Sequence, residues 1–366
     1  MPNMPRLAIF LRDLAGGGAE KVMVTLAEGF AERGVPVDLV LVKKVGPYLE
    51  FLSSRVHVID LCSKRLLTSI HDLARYLREA RPTALISALE DTNAAAILAA
   101  RLSRAPTRVI VTVHNHVSIE SRQSRRLKRK LAPYLIRCLY PHADHVVTVS
   151  QGVEADIMGM GVPKERVSTI YNPILTPTFR AQLKERAEHP WLNSSGVPVL
   201  LGIGRLHPQK NFALLIRAFH AVRQQRALKL IILGEGPERL HLKALIEELM
   251  LGEDVQLPGF VTNPAPWIRQ SALLVLSSNW EGFGNVLVEA MAAGTPVVST
   301  RCDSGPAEIL ANGLYGRLSP VGDVDALSEA IKATLEGPPD AESLRRRAED
   351  FDREHIIDQY HQVCFN

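Results

Sequence analysis

The sequence predicts an α/β protein made of two doubly wound domains in tandem. Three observations carry that expectation. The chain has 366 residues, about twice the length of a common domain. Short β-branched apolar runs alternate with longer amphipathic stretches, the pattern of parallel strands joined by covering helices. The alternation lapses between 174 and 196, a stretch holding Pro177, Pro190 and Gly196, and then starts again.

The strand candidates of the first half begin with residues 7–11, a five-residue apolar run closed by Arg12 and Asp13. Residues 37–42, 56–59, 84–88, 108–113, 145–149 and 167–170 follow, each short and rich in Val, Ile or Ala. Helical periodicity fills several gaps, at 21–33, 69–79 and 92–102. The second half offers strands at 197–203, 229–233, 254–257, 273–276 and 296–300, with helices at 212–224, 238–250, 285–293 and 323–336. The expected division is a domain over 1–173, a connection over 174–195 and a second domain over 196–351. Two such sheets facing each other put a cleft between the carboxyl ends of their strands, where doubly wound folds bind ligands.

Composition removes several classes. Apolar residues make up 46% and charged residues 22%, so the chain is neither disordered nor fibrous. Cys62, Cys138, Cys302 and Cys364 are far apart, with no CxxC pair, which argues against a disulfide framework or a zinc site and fits a reducing cytosol. No run of 18 apolar residues appears, and the run at 7–11 is too short for a signal-peptide core. The expected location is the cytoplasm.

Charge is uneven. Residues 1–173 hold 24 Lys/Arg against 16 Asp/Glu, and residues 174–366 hold 19 against 23. A basic half joined to an acidic half suggests that the first meets something anionic. The densest patch is Arg122, Arg125, Arg126, Lys128, Arg129 and Lys130, six cations in nine residues. Such a run is ordinarily a solvated helix face. Here an apolar stretch with Tyr134 follows at 131–139, and that juxtaposition also suits a segment lying on an anionic membrane. Nucleic acid is not expected, because no aromatics interleave with the cations as stacking platforms.

Three motifs carry chemistry. Gly16-Gly17-Gly18 follows the first strand and opens a helix, where a close backbone and free N–H groups can meet a ligand, or simply make a tight turn. Gly202-Ile-Gly-Arg205, closing on Lys210, again follows a strand, and its two cations suit a diphosphate. Glu281-Gly-Phe283-Gly284-Asn285-Val286-Leu-Val-Glu289 sets two carboxylates around a helix start, able to accept hydrogen bonds from sugar or ribose hydroxyls. Neither the GxGxxG fingerprint nor a P-loop is present, which disfavours an NAD dehydrogenase or an NTPase.

These motifs resemble the retaining, two-domain GT-B glycosyltransferases of family 4. The resemblance rests on the E-x7-E segment, on 292–300 beyond it, on the glycine turn ending in Glu20, on the Gly204–Asn211 loop, on Leu233-Gly-Glu-Gly-Pro237 and on Pro258-Gly-Phe-Val261, all in register. Within that family it is most similar to bacterial enzymes that extend lipid-linked or surface oligosaccharides. The resemblance implies two Rossmann-like domains, the first binding acceptor and the second nucleotide sugar, with a closing helix within 352–366 packed back on the first. It implies Arg205 and Lys210 on the donor diphosphate, Glu289 on ribose and Glu281 on the donor sugar. Gly17, Gly18, Phe283, Gly284, Asn285 and Val286 would contact sugar and phosphate, with Gly259 and Phe260 near the base and His114 on the sugar. Gln209 departs from the pattern, since many members carry an acid before the lysine.

The activity implied is transfer of a hexose or N-acetylhexosamine, with retention, from a UDP-type sugar nucleotide to a polyprenyl-diphosphate-linked or other lipid-linked saccharide at the cytoplasmic face of the inner membrane. No cofactor or metal is expected, because Arg205, Lys210 and helix dipoles can neutralise the leaving diphosphate. A front-face displacement is implied, with Glu281 as covalent nucleophile the alternative. Competing readings are a nucleotide-sugar epimerase, a glycogen-type enzyme and a non-catalytic sugar-nucleotide binder. Acceptor-dependent nucleotide release separates them.

Overall fold

The computed structural model describes residues 5–124, 126–193 and 196–366, apart from the side chain of Lys128. It divides into two compact units, residues 1–173 with 353–366, and residues 174–352.

The first unit is built on seven strands: β1 (Leu7–Leu11), β2 (Val37–Leu41), β3 (Val56–Asp60), β4 (Ala84–Ala88), β5 (Arg108–Val113), β6 (His145–Thr148) and β7 (Val167–Thr169). They pair in the order β3-β2-β1-β4-β5-β6-β7, every pair parallel. Every residue of β1, β2 and β4 is buried, as expected of central strands covered on both faces. The order reverses between β1 and β4, so the loop after β1 lies at the switch point.

The second unit repeats the plan with β8 (Val199–Ile203), β9 (Lys229–Leu233), β10 (Val255–Gly259), β11 (Leu273–Leu276), β12 (Val297–Thr300) and β13 (Arg317–Ser319). Their order is β10-β9-β8-β11-β12-β13, again all parallel, with the reversal between β8 and β11. Strand β13 was not expected. It is three residues long, and only its last is fully buried, so its sequence carries little apolar signal.

The helix Arg353–Phe365 belongs to the first unit. Ile356, Ile357, Tyr360 and Cys364 enter the apolar core that lies beneath β1, β2 and β4. It packs on helix Gly18–Glu32 so closely that a Cβ added at Gly29 would overlap Ile357 Cδ1. Arg33 clamps the pair from outside, 2.9 Å from Glu354 and 2.6 Å from Asp358, and Arg353 reaches Glu32 at 2.5 Å.

The stretch 174–195, expected as a connection, is folded onto the second unit as far as Asn193. Ala187 N donates to Gln270 Oε1 at 2.7 Å, and Asn263 Nδ2 donates to Glu185 Oε2 at 2.8 Å. His189 Nε2 lies 2.8 Å from Gln256 Oε1. Its prolines start short helices rather than leave the chain loose, since Pro177 and Pro190 occupy first helical positions.

Candidate functional site

The order β10-β9-β8-β11 sets four strand-end loops side by side along one edge of the second sheet. Gly259 ends β10 and Phe260 follows it, residues 234–237 follow β9, Arg205 and Lys210 follow β8, and Glu281 follows β11. The backbone welds these loops together. Leu206 N donates to Glu235 O at 2.9 Å, and Gly234 N donates to Gly259 O at 2.7 Å. Gly234 has φ +138°, and a Cβ there would strike the Gly204 carbonyl, so only glycine permits this approach.

The β8 and β11 loops are held together by one backbone bond and several side chains. Asn279 N donates to Gln209 O at 2.7 Å, and Asn279 Nδ2 donates to Pro208 O at 2.8 Å. Asn211 Nδ2 donates to Asn279 Oδ1 at 3.0 Å, and Ser277 Oγ to Lys210 O at 2.9 Å. Gln209 Nε2 donates to the Trp280 carbonyl at 3.1 Å. That bond gives the departure at Gln209 a job in this chain, since a carboxylate could not donate there.

The result is one tight charged centre. Lys210 Nζ lies 2.5 Å from Glu281 Oε1, and the same oxygen accepts the Ser278 hydroxyl at 2.5 Å. Ser304 Oγ donates to the Glu281 carbonyl at 2.6 Å. Both side-chain bonds fall on Oε1, leaving Oε2 without a hydrogen-bond partner among the described residues. Glu281 is only 6% exposed, so its carboxylate is fixed before any ligand arrives. Cys302 lies behind it, donating to Ser278 O at 3.2 Å, and burial beside Glu281 pushes its thiol up to about 12, which keeps it protonated. Arg205 is exposed and forms no ion pair with a described residue. Helix Asn285–Ala293 begins directly after Gly284, which has φ +108°, and carries Glu289, buried, in its second turn. Phe283 is buried against Phe351, at 5.5 Å between ring centroids, so its ring is turned into the core, whereas Phe260 is exposed. Ser278, Ser304 and Gln209 were not foreseen as site residues. Only their nearness to the E-x7-E segment or to Lys210 could have flagged them.

In the first unit Gly17 caps helix Gly18–Glu32, and Gly18 is its first residue, so the helix starts inside the glycine turn rather than at residue 21. His114 directly follows β5. Thr112 Oγ1 donates to Ser87 O at 2.9 Å and so has no proton left for His114 Nε2, 2.9 Å away. His114 therefore carries its proton on Nε2 and presents Nδ1 as an acceptor. Burial lowers its pKa to about 4, so the ring stays neutral near pH 7.

The basic run is not one helix face. It spans helices Val117–Gln123 and Leu127–Lys130, with helix Ala132–Leu139 following. Arg129 pairs with Glu120, which neutralises one cation, while Arg122, Arg126 and Lys130 are exposed. Arg125 lies outside the described residues, as does the side chain of Lys128. Leu127 and Tyr134 are 71% and 69% exposed, and Leu131 and Leu135 are also uncovered.

Two Asp-x-Asp spacings escaped the sequence reading, at Asp323/Asp325 and Asp350/Asp352. Asp323 caps helix Val324–Glu336 through Ala326 N at 2.9 Å. Asp350 pairs with Arg347 at 2.6 Å and Asp352 with Arg180 at 3.1 Å. These are structural engagements, so neither spacing stands out as a prepared metal pair.

Comparison with known proteins places this edge in a family. Residues 16–176 match the description Glycosyltransferase Family 4, and residues 184–351 match Glycosyl transferases group 1. A Campylobacter jejuni protein, the N-acetylgalactosamine-N,N'-diacetylbacillosaminyl-diphospho-undecaprenol 4-alpha-N-acetylgalactosaminyltransferase, is 30% identical over 344 residues, covering 91% of each chain. This chain is a family 4 glycosyltransferase. The amylovoran biosynthesis glycosyltransferase AmsD of Erwinia amylovora is 26% identical over 314 residues, 85% of each chain. The fold of the transferase is GT-B. Anabaena HepE, solved with UDP and glucose, superposes with a TM-score of 0.79 at 21% identity over 98% of each chain. The lipopolysaccharide outer core galactosyltransferase WaaB superposes at 0.75 and 20% identity, over 98% of this chain and 99% of that one. Two further relatives are named for lipopolysaccharide, LpsE of Rhizobium meliloti, 30% identical over 240 residues, and a 1,6-galactosyltransferase of Salmonella typhimurium, 29% identical over 204 residues. Among the described residues no helix is long and apolar enough to cross a membrane.

Proposed function

We propose that the transferase moves a hexose or N-acetylhexosamine, with retention, from a UDP-sugar to a polyprenyl-diphosphate-linked saccharide at the cytoplasmic face of a membrane. The observation that carries the reading is the Lys210–Glu281 contact of 2.5 Å at the switch point of the second sheet, with Arg205 on the same loop. A cation and a carboxylate held that close suit the two ends of a sugar diphosphate, Lys210 with Arg205 taking the phosphates and Glu281 Oε2 accepting a sugar hydroxyl. Glu289 is assigned to the ribose, and the N–H groups that open helix Asn285–Ala293 to the diphosphate. Gly17, Gly18 and His114 keep the donor-contacting roles that the family resemblance assigns them.

Chemistry follows from these roles. As the glycosidic bond to phosphate breaks, negative charge grows on the leaving diphosphate, and fixed cations and helix N–H groups stabilise it without reorganising. The departing phosphate oxygen takes the acceptor's proton on the same face, which keeps the anomeric configuration. Glu281 is tied on Oε1 by two donors, which favours a positioning role over nucleophilic attack. No metal is assigned a role. The relative from Campylobacter jejuni, whose name specifies an undecaprenol-linked acceptor, supports the lipid-linked choice. The exposed face of Leu127, Leu131, Tyr134 and Leu135 beside Arg126 and Lys130 supports contact with an anionic bilayer.

The test is release of nucleoside diphosphate from a panel of sugar nucleotides, with and without a lipid-diphosphate-linked saccharide. Acceptor-dependent release that survives a chelator is expected. Release without acceptor would favour an epimerase, binding without release a non-catalytic protein, and chelator inhibition reversed by magnesium would overturn the metal-free chemistry.

A further inference from the structure

The loop after β8 is anchored in two stretches, to different neighbours. As far as Leu206 it belongs to the β9 side: Leu206 N donates to Glu235 O at 2.9 Å, and Glu238 N donates to Leu206 O at 3.0 Å. Beyond that point the backbone turns back on itself, with Lys210 N donating to His207 O at 2.9 Å. Packing around this turn is incomplete. A cavity of about 220 Å³ opens against it, with His207, Pro208, Asn211, Glu238 and Asn279 in its wall. A turn with open space on one side is not held by packing alone. The position of Lys210 therefore depends on the bonds that reach the turn from the β11 loop.

Asn279 supplies bonds on both sides of Lys210. Its backbone N–H donates to Gln209 O at 2.7 Å and its Nδ2 to Pro208 O at 2.8 Å, ahead of the lysine. Its Oδ1 accepts Asn211 Nδ2 at 3.0 Å, just past the lysine. Both ends of the amide are used, and their orientation is fixed, because a carbonyl can only accept and an amide nitrogen can only donate. Asn211 needs that hold. It stands at φ +45°, in the left-handed region, where it caps helix Phe212–Arg223 by accepting Leu214 N at 3.3 Å. Ser277 Oγ and Gln209 Nε2 add a bond each, to Lys210 O and Trp280 O, but each fixes a single point. The β11 loop that carries Asn279 also carries Glu281, whose Oε1 meets Lys210 Nζ at 2.5 Å.

We infer that Asn279 is a positioning residue for Lys210, setting the ammonium where the donor's phosphates are to lie and acting through the lysine rather than on the donor. The inference rests on the reading of Lys210 as a diphosphate ligand. A lysine is a point charge on a flexible stem, so its value as a phosphate ligand depends on how little freedom is left to lose on binding. The far end of the stem lies on Gly204, where an added Cβ would come 3.1 Å from Lys210 Cε. Asn279 fixes the near end, through the backbone on either side.

The test is a double-mutant cycle on the full chain, read by calorimetric titration of UDP. Asn279→Ala is expected to weaken UDP about tenfold or more, since a displacement of roughly 1 Å is enough to cost that much in a fitted site. In the Lys210→Met background the same change is expected to cost about twofold at most, because no ammonium remains to be placed. A merely structural role would weaken UDP equally with and without Lys210, so equal losses overturn the inference. UDP affinity that Asn279→Ala leaves unchanged overturns it as well. Melting temperature is followed throughout. If the alanine variant does not fold, Asn279→Ser, whose hydroxyl is too short to span Pro208 and Asn211, carries the same cycle under the same criteria. Lys210→Met alone tells this failure from that of the underlying reading. If it weakens UDP while the cycle is additive, only the role of Asn279 falls. If it leaves UDP affinity unchanged, the diphosphate reading falls and the inference with it.

Discussion

Lys210→Met tests whether Lys210 is there for the diphosphate or only for Glu281. The change removes the charge and keeps an unbranched apolar stem, which can still lie on Gly204, where a Cβ would be 3.1 Å from Lys210 Cε. Two separate losses are expected. Glu281, 6% exposed, keeps Ser278 but loses its cation, and losing a charge-assisted hydrogen bond costs about 1.5–3 kcal/mol of stability. Transfer loses a cation facing charge that grows at the leaving group, about 2–4 kcal/mol in a preorganised site. That corresponds to roughly 30- to 900-fold in rate. A double-mutant cycle with Glu281→Gln separates the two. In the Gln background no buried charge remains to be compensated, so the stability loss should largely vanish in denaturant titrations. Nucleoside diphosphate affinity, followed by calorimetry, should still drop when Lys210 is replaced. If Lys210→Met leaves that affinity unchanged in the Glu281→Gln background, Lys210 is a counter-ion to Glu281 and the diphosphate assignment is wrong.

Other expectations are as direct. Glu289→Ala should weaken the nucleotide at least tenfold while Glu281→Ala mainly slows transfer; equal nucleotide binding by wild type and Glu289→Ala would remove the ribose role. The His114 pKa is lowered to about 4 by burial, against about 6.5 unfolded, so the unfolded chain binds more protons between those values and stability falls as pH drops through that window. Melting curves from pH 7 to 4 should show a smaller loss in His114→Gln than in wild type; an identical loss would contradict the neutral, buried ring. Gly29→Val should destabilise the first unit by about 1–3 kcal/mol, because the added carbons have nowhere to go against Ile357; unchanged unfolding of that unit would refute the tight helix contact.

How much was legible in the sequence depended on whether the signal was local. The strands announced themselves because a strand covered on both faces must be apolar throughout, as in residues 7–11. The loops after β1, β8 and β11 were legible through glycine, which chemistry demands where backbones approach. What joins the β8 and β11 loops was not legible. The bonds from Gln209 to Trp280 and from Ser278 to Glu281 depend on which strands are neighbours, and a lone Gln or Ser carries no mark of its partner. The run at 122–130, by contrast, drew attention because it is contiguous. Yet contiguity misled there too, since Glu120 takes up Arg129 and the run breaks between two short helices.

The helix Arg353–Phe365 sets a timetable for synthesis. Its partners in the first unit, such as Arg33, leave the ribosome 321 positions before Glu354 does. Residues 174–352, an entire second unit, are translated in between. At ordinary elongation speeds that interval is on the order of 10–40 s, during which the groove awaiting Ile356, Ile357 and Tyr360 stays open to water and to other chains. The second unit, contiguous in sequence, can close on its own as it emerges. The later-made unit therefore matures first, and the first unit is most prone to aggregate just before the helix Arg353–Phe365 is made.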